Sequence, residues 1–309
     1  GERLRYDHLA LATGARNRIP PIAGLDRGLL LELRTLKDAR ALNERLSALR
    51  HVTIVGGGFI GLEVAGLLRV RDIAVDLVEA APVLMGRVLS RRMSDYFRAF
   101  HEALGTRLHL ETTAQQVTHG PASTRVDLSD GRRLETDAIV IAAGIMPNIE
   151  LAAEAGLATD NGIIIDSRLV TSDAAISAMG DCAVYPNVYT GGMARLESVQ
   201  NAVDQARCIA ARLTGDDKAY DGLPWFWSNQ GSARLQIAGL SNGHDSTVLR
   251  GDPESGKFSV FLYHGDRLLA VESINNAGDH MLARRLIAAR TNVSKDVAAD
   301  MSANLKELM

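Results

Sequence analysis

Short apolar runs that end in glycine alternate along the first 220 residues with stretches of helical period. That alternation predicts parallel strands joined by crossover helices. His51-Val52-Thr53-Ile54-Val55 and Ala74-Val75-Asp76-Leu77-Val78 are β-branched and nearly uninterrupted, as strands covered on both faces require. Residues 9–12, 138–143, 163–165 and 176–179 read as further strands. Helices are predicted over 33–49, with Thr35 as a cap, over 94–104, with Tyr96, Phe97 and Phe100 on the apolar side, and over 199–213. Residues 107–134 switch to alternation around Ser129-Asp130-Gly131, a hairpin signal. Leu223-Pro224-Trp225-Phe226-Trp227 marks a boundary. Beyond it, strands near 234–240, 257–263 and 267–274 precede a helix around 280–289 and a polar, partly helical tail.

Between the first two named strands stands Gly56-Gly57-Gly58-Phe59-Ile60-Gly61. The spacing Gly56-x-Gly58-x-x-Gly61 allows a tight bend, close approach of backbone to a pyrophosphate, and close helix–strand contact. N–H groups at the start of the next helix, with its dipole, form an anion site. The second strand delivers Glu79 roughly twenty residues on, where a carboxylate can accept hydrogen bonds from both ribose hydroxyls. A 2′-phosphate would be repelled there. With 28 glycines in the chain the spacing alone would mean little. Strand, glycine turn, helix, strand and acid in that order point to NAD(H) over NADP(H).

Composition narrows the classes. The chain's 309 residues suffice for two or three domains. Its 34 basic and 37 acidic residues give a net charge of −3 without a long basic run, which argues against a nucleic-acid surface. No apolar stretch reaches transmembrane length and no signal-peptide pattern opens the chain, so no membrane association and a cytoplasmic location are expected. Cys182 and Cys208 form no CxxC or zinc spacing, and the small buried side chain is the expected role of each. A redox dithiol is therefore not encoded, and electron transfer would need a bound cofactor. His8, His51, His101 and His280 have no partners at metal spacing, so no metal is expected.

Thr13-Gly14 and Ala143-Gly144 each end a strand, and they bracket a domain-sized block. With Pro147-Asn148 and Gly180-Asp181 they resemble, in order, the motifs of the pyridine nucleotide–disulfide oxidoreductase superfamily. Glu197-Ser198-Val199-Gln200-Asn201-Ala202 and Pro224-Trp225-Phe226-Trp227-Ser228 narrow the resemblance. They are similar to the ferredoxin reductases of bacterial aromatic-ring dioxygenase and cytochrome P450 systems, with rubredoxin reductases close by. The resemblance runs over essentially the whole chain.

The resemblance implies an α/β fold of Rossmann-like FAD- and NAD-binding domains, the first truncated at its N-terminus, followed by a C-terminal α+β domain that closes over the flavin. Residues 1–22 and 145–222 would be the remnant of the FAD-binding domain, 23–144 the NAD-binding domain and 223–309 the C-terminal reductase domain. The implied activity is NADH-dependent and uses FAD, with a [2Fe-2S] ferredoxin or rubredoxin as acceptor, feeding an oxygenase. No general acid or nucleophile is needed, and a monomer or homodimer is expected.

Carried over by residue, Gly180 and Asp181 would meet the FAD ribityl chain. Val199, after Glu197 and Ser198, would set its N–H near the ring carbonyls at a helix N-terminus. Thr13 and Gly14 would pass beside the cofactor, Arg34 would lie at the FAD–NAD junction, and Trp227 would pack near the ring. On the NAD side, Phe59, Ile60 and Glu63 would approach nicotinamide and ribose. Arg87 would flank the adenosine end, and Gly144 belongs to the same set. Arg284 and Arg285, next to His280, present positive charge to an acidic ferredoxin or form a solvated helix face.

Two residues depart from the family pattern. Asn229 stands where aspartate commonly follows Trp-Ser, and Gly231 where a bulky residue is common, so contacts near the flavin or the acceptor surface are expected to differ. The superfamily also holds the ADP half of FAD with a first βαβ unit of about 30 residues or more, and residues 1–12 contain none. A fragment of a longer reductase and a natural truncation with weak or absent FAD binding both stay open. So do two other functions: a flavin reductase with another acceptor, such as a quinone or oxygen, and a non-catalytic NAD(H)-binding or interaction protein.

Overall fold

Five parallel strands carry the glycine turn, in the order Leu30–Leu31, Ala138–Ile141, His51–Val55, Ala74–Val78 and Thr106–His109. The computed structural model describes residues 3–26, 28, 30–120 and 123–308. Val52, Ile54, Val75 and Leu77 are fully buried, because the sheet is covered on both faces. The helix predicted over 33–49 is shorter, Leu36–Arg45. Thr35 forms a capping box with Asp38, which fixes the helix start, and the preceding Leu30–Leu31 is an edge strand.

The alternating region is also divided differently from expectation. Thr106–His109 is the fifth parallel strand, and only Ala114–His119, Thr124–Leu128 and Arg133–Thr136 form the antiparallel sheet. An edge strand exposed along one side alternates as a hairpin does, so pattern alone could not separate them.

The segments on either side of this block pair with each other. Leu9–Leu11 runs parallel to Ile176–Ala178, and Ala15–Asn17 runs antiparallel to Ile145–Pro147. Their own core includes Leu11, Ile163, Leu169, Tyr185 and Ile209, the last on the helix Val199–Leu213.

The C-terminal part is a five-stranded antiparallel sheet, ordered Trp225–Gln230, Ala233–Gly239, Arg267–Ile274, Lys257–His264 and Ser246–Asp252. Ser246–Asp252 has no apolar alternation to betray it. Its one buried residue is Arg250, whose guanidinium caps the carbonyls of Ala298, Asp300 and Ala303. Period two sends alternate side chains of the sheet to opposite faces. Phe261, Tyr263 and Val271 meet the helix Ala277–Ala288. Leu235, Ile237, Phe258, Val260 and Ile274 join Leu31, Val52, Met93 and Phe97 in one continuous core. Each such side chain contributes about 1.5–3 kcal/mol through burial, so the C-terminal sheet is packed firmly against the inserted block.

Candidate functional site

The glycine turn separates glycines required by the protein from one suited to a ligand. Gly56 has φ +113°, and a Cβ there would lie 2.3 Å from the Ala142 carbonyl oxygen. A Cβ on Gly61 would lie 2.0 Å from the Gly56 carbonyl oxygen. Packing within the chain therefore excludes side chains at both. At Gly58 a Cβ would meet nothing within 4 Å. Gly58 is also the N-cap of the helix Phe59–Arg69 and supplies no side-chain cap, so the first N–H groups are left to an anion. This cradle fits a pyrophosphate.

Glu79 is held more tightly than its sequence position implies. Its two carboxylate oxygens accept the Gly57 N–H at 2.6 Å and the Ala81 N–H at 2.7 Å. Each oxygen keeps a further lone pair, which suits a ribose diol. Phe59 and Ile60 are half-buried at the helix start, and Arg87 is exposed in the loop beyond Glu79. Gly144 follows the strand Ala138–Ile141, and its carbonyl accepts the Arg18 N–H at 2.9 Å.

A second candidate site lies at the carboxyl ends of the paired strands Leu9–Leu11 and Ile176–Ala178, the position where open α/β sheets bind ligands. The Met179 N–H donates to the Leu11 carbonyl at 3.0 Å, so Thr13-Gly14 and Gly180-Asp181 leave side by side. Thr13 turns its hydroxyl to the Asn148 carbonyl at 2.6 Å and therefore offers a cofactor its backbone. Gly180 donates its N–H to the buried Gln205 Oε1 at 2.7 Å, and a Cβ on it would lie 3.3 Å from that of Ala202. That contact seats the loop against the first turn of Val199–Leu213. Ser198 caps this helix through the Asn201 N–H, and Val199 itself is exposed. Glu197 pairs with Arg195 at 2.9 Å, and Arg195 also donates to the Asp181 carbonyl at 3.1 Å.

Arg34 ties the inserted block to this second site. Its Nη2 lies 2.8 Å from Asp181 Oδ2, and a Cβ on Gly14 would sit 3.6 Å from it. The remaining oxygen of Asp181 and the start of the Val199 helix form a donor and acceptor set that fits a polyol and an electron-rich ring.

Trp227 is 39% exposed and packs against Trp225, with the two rings 5.4 Å apart and tilted by 37°. The Arg284 guanidinium sits 4.4 Å over the Trp225 ring, so it is a packed cation rather than a free surface charge. Arg285 is exposed beside it. His280 lies beneath Trp225 with its rings 5.7 Å apart, and neither of its nitrogens has a partner among the described residues. Burial, aided by Arg284 and Arg234, pushes its pKa down to about 4, so it is neutral at physiological pH.

Three expectations shift. Glu63 is not simply open to a nicotinamide, because its Oε1 accepts the Ser228 hydroxyl at 2.7 Å and the Asn229 N–H at 3.1 Å. Asn229 and Gly231 therefore lie against the nucleotide helix. A Cβ on Gly66 would come within 2.9 Å of the Gly231 nitrogen, so the close backbone approach requires glycine at 66, while Gly231 itself has φ +55°. Sequence reasoning missed the buried polar seam between the block and the C-terminal sheet. It includes Ser90 with Glu272 and His101 with Gln230, and no local pattern marks these pairs. Both cysteines are free, Cys182 buried and Cys208 half-buried. No helix among the described residues is long and apolar enough to cross a membrane.

Residues 1–206 match the pyridine nucleotide-disulphide oxidoreductase family, and residues 225–309 match the reductase C-terminal family. Rhodocoxin reductase of Rhodococcus erythropolis is 45% identical over 98% of this chain and 71% of its own length. Putidaredoxin reductase of Pseudomonas putida is 38% identical over 100% of this chain and 75% of its own. A ferredoxin reductase from Rhodopseudomonas palustris superposes with a TM-score of 0.96 at 46% identity, over 98% of this chain and 76% of that one. The covalent complex of putidaredoxin reductase with putidaredoxin gives 0.95 at 37%, over 100% and 75%. The chain thus belongs to the pyridine nucleotide-disulphide oxidoreductase family and carries that family's reductase C-terminal domain.

Proposed function

We propose that this chain is the electron-transfer body of an NADH-dependent, FAD-containing reductase whose acceptor is a small iron–sulfur protein. The observation that carries this reading is the Arg34–Asp181 bridge, which ties the block bearing the glycine turn and Glu79 to the flavin-side loops at Gly14 and Gly180. Relatives named as reductases of rhodocoxin and putidaredoxin favour the iron–sulfur acceptor.

On the NAD side, Gly58 and the N–H groups at Phe59 hold the pyrophosphate. Glu79, fixed by Gly57 and Ala81, selects the unphosphorylated ribose, and Arg87 lies by the adenosine. Phe59, Ile60 and Glu63 present one helix face to the nicotinamide. On the flavin side, Asp181 holds the ribityl chain, Thr13 and Gly14 supply backbone beside it, and the Val199 N–H meets the ring. FAD held there would supply the redox chemistry, coupling a two-electron donor to a one-electron acceptor. Trp227 packs near the flavin ring, and Arg285, exposed beside the packed Arg284, presents positive charge to the acceptor. The domain limits we assign are 1–22 with 145–222 for the flavin part, 23–144 for the NAD part and 223–309 for the C-terminal part. Two free cysteines and a dependence on NADH favour a cytoplasmic setting.

Absorbance of the purified chain supplied with FAD tests the reading. Flavin bands near-stoichiometric with protein, bleached by NADH and restored by oxidised ferredoxin, are expected. A colourless protein that binds NADH and reduces nothing would leave the non-catalytic alternative.

A further inference from the structure

Four side chains form a directional hydrogen-bond chain across the seam between the C-terminal sheet and the nucleotide block. The Glu63 carboxylate only accepts, so Ser228 must donate its hydroxyl to Oε1, at 2.7 Å. The Ser228 oxygen is then free to accept from the Gln230 amide nitrogen at 3.1 Å. Gln230 Oε1 in turn accepts from His101 Nε2 at 2.9 Å, which fixes the proton of that imidazole on Nε2. The Asn229 N–H adds a second donor to Glu63 Oε1 at 3.1 Å. His101, Ser228 and Gln230 are all fully buried, and burial keeps His101 neutral.

Cohesion of the two parts does not require this chain. The shared apolar core already joins them, and buried polar groups are costly unless every partner is satisfied. What the chain does is fix one carboxylate. Glu63 stands four residues after Phe59, so the two share the helix face that begins at the glycine turn. Its Oε1 is committed to Ser228 and Asn229, which restrains the side-chain rotamer on that face.

We propose that Ser228, a residue of the C-terminal sheet, is a positioning residue of the NADH site, acting by orienting Glu63. The inference rests on the NADH reading above. It means that the nucleotide site is completed from a part of the chain 165 residues away.

Equilibrium titration with NADH, read by energy transfer from tryptophan to the nicotinamide, tests this without flavin or turnover. Ser228→Ala should weaken NADH binding on the order of tenfold, the scale of one hydrogen bond to a charged group. Ser228→Thr, which keeps the hydroxyl, should bind within a few-fold of the unmodified chain. Glu63→Ala, at a half-buried helical position that tolerates alanine, should show a similar loss. Adding Ser228→Ala to Glu63→Ala should cost nothing further, because the two act as a unit. Wild-type affinity in Ser228→Ala or in Glu63→Ala would overturn the proposal, as would simple additivity in the double variant. A merely structural role would lower the melting temperature of Ser228→Ala with NADH affinity unchanged. If the unmodified chain fails to bind NADH, the NADH reading falls and this inference falls with it.

Discussion

Glu272 accepts both the backbone N–H and the hydroxyl of Ser90, each at 2.6 Å, inside the seam that joins the C-terminal sheet to the nucleotide block. Both residues are fully buried. Burial outweighs the two hydrogen bonds and pushes the Glu272 pKa up to about 7. An acid whose pKa is higher folded than unfolded stabilises the fold below the unfolded value, and that stability is lost as pH rises through the folded one. Glu272→Gln should therefore gain stability relative to the parent between about pH 5 and pH 8, by roughly 1–3 kcal/mol. Urea unfolding at several pH values measures it. Parallel curves would show that Glu272 does not titrate in this window.

His280 bears the opposite sign. Its pKa is lowered by burial to about 4, so its contribution is complete above the unfolded value and is lost as pH falls through the folded one. Between about pH 6.5 and pH 4 the parent should lose about 1–3 kcal/mol more than His280→Phe does. Thermal midpoints over an acid series are the readout, and equal losses would count against it.

Asp76 is fully buried among Arg107, His109 and His51, with its oxygens 2.6–2.8 Å from Arg107 and 2.7 Å from His109. Burial pushes its pKa up, but hydrogen bonds from those three residues prevail and hold it well below the usual carboxylate range. Asp76→Asn would give the donors of Arg107, His51 and His109 a weaker, neutral acceptor at a buried position, at about 1–3 kcal/mol. NADH affinity should fall much less than stability, because His51 and Arg107 lie toward the amino ends of their strands, and His109 meets Glu79 through its backbone carbonyl, which accepts the Glu79 N–H at 2.9 Å. Denaturant midpoints and an NADH titration separate the two effects.

Glu79→Arg should shift preference from NADH towards NADPH. It also removes the acceptor for two backbone donors, at Gly57 and Ala81. NADH binding should weaken about tenfold or more and the melting temperature should fall. Titration with each nucleotide decides it. An unchanged preference would remove Glu79 from the ribose site.

These cases show which parts of the molecule the amino-acid pattern discloses. Gly56 and Gly61 answer to contacts within a few residues, so their spacing carries the geometry directly. Thr35 and Ser198 cap the helices that follow them for the same local reason. Leu30–Leu31 was hidden because two residues make no period, and Ser246–Asp252 because its buried side chain is an arginine. Glu63 with Ser228, and Ser90 with Glu272, are pairs separated by more than 160 residues. Single-chain patterning holds no information on such partners, and both ends of each pair look like ordinary surface polar residues. Glu79 lies between these extremes: its position was legible, its two backbone restraints were not.

The continuous core under the C-terminal sheet bears on how such reductases can be recombined. Leu235, Phe258 and Val260 interdigitate with Met93 and Phe97, so the sheet and the nucleotide block form one inheritance unit despite lying far apart in the chain. A chimaera that exchanges the last third alone would bring a foreign face against this core and leave Ser90 and Glu63 facing strangers. Exchanging both parts together keeps the Ser90–Glu272 and Glu63–Ser228 pairs, and the contacts left to be matched are those of Ile22 with Val55 and of Tyr189 with the core around Phe261.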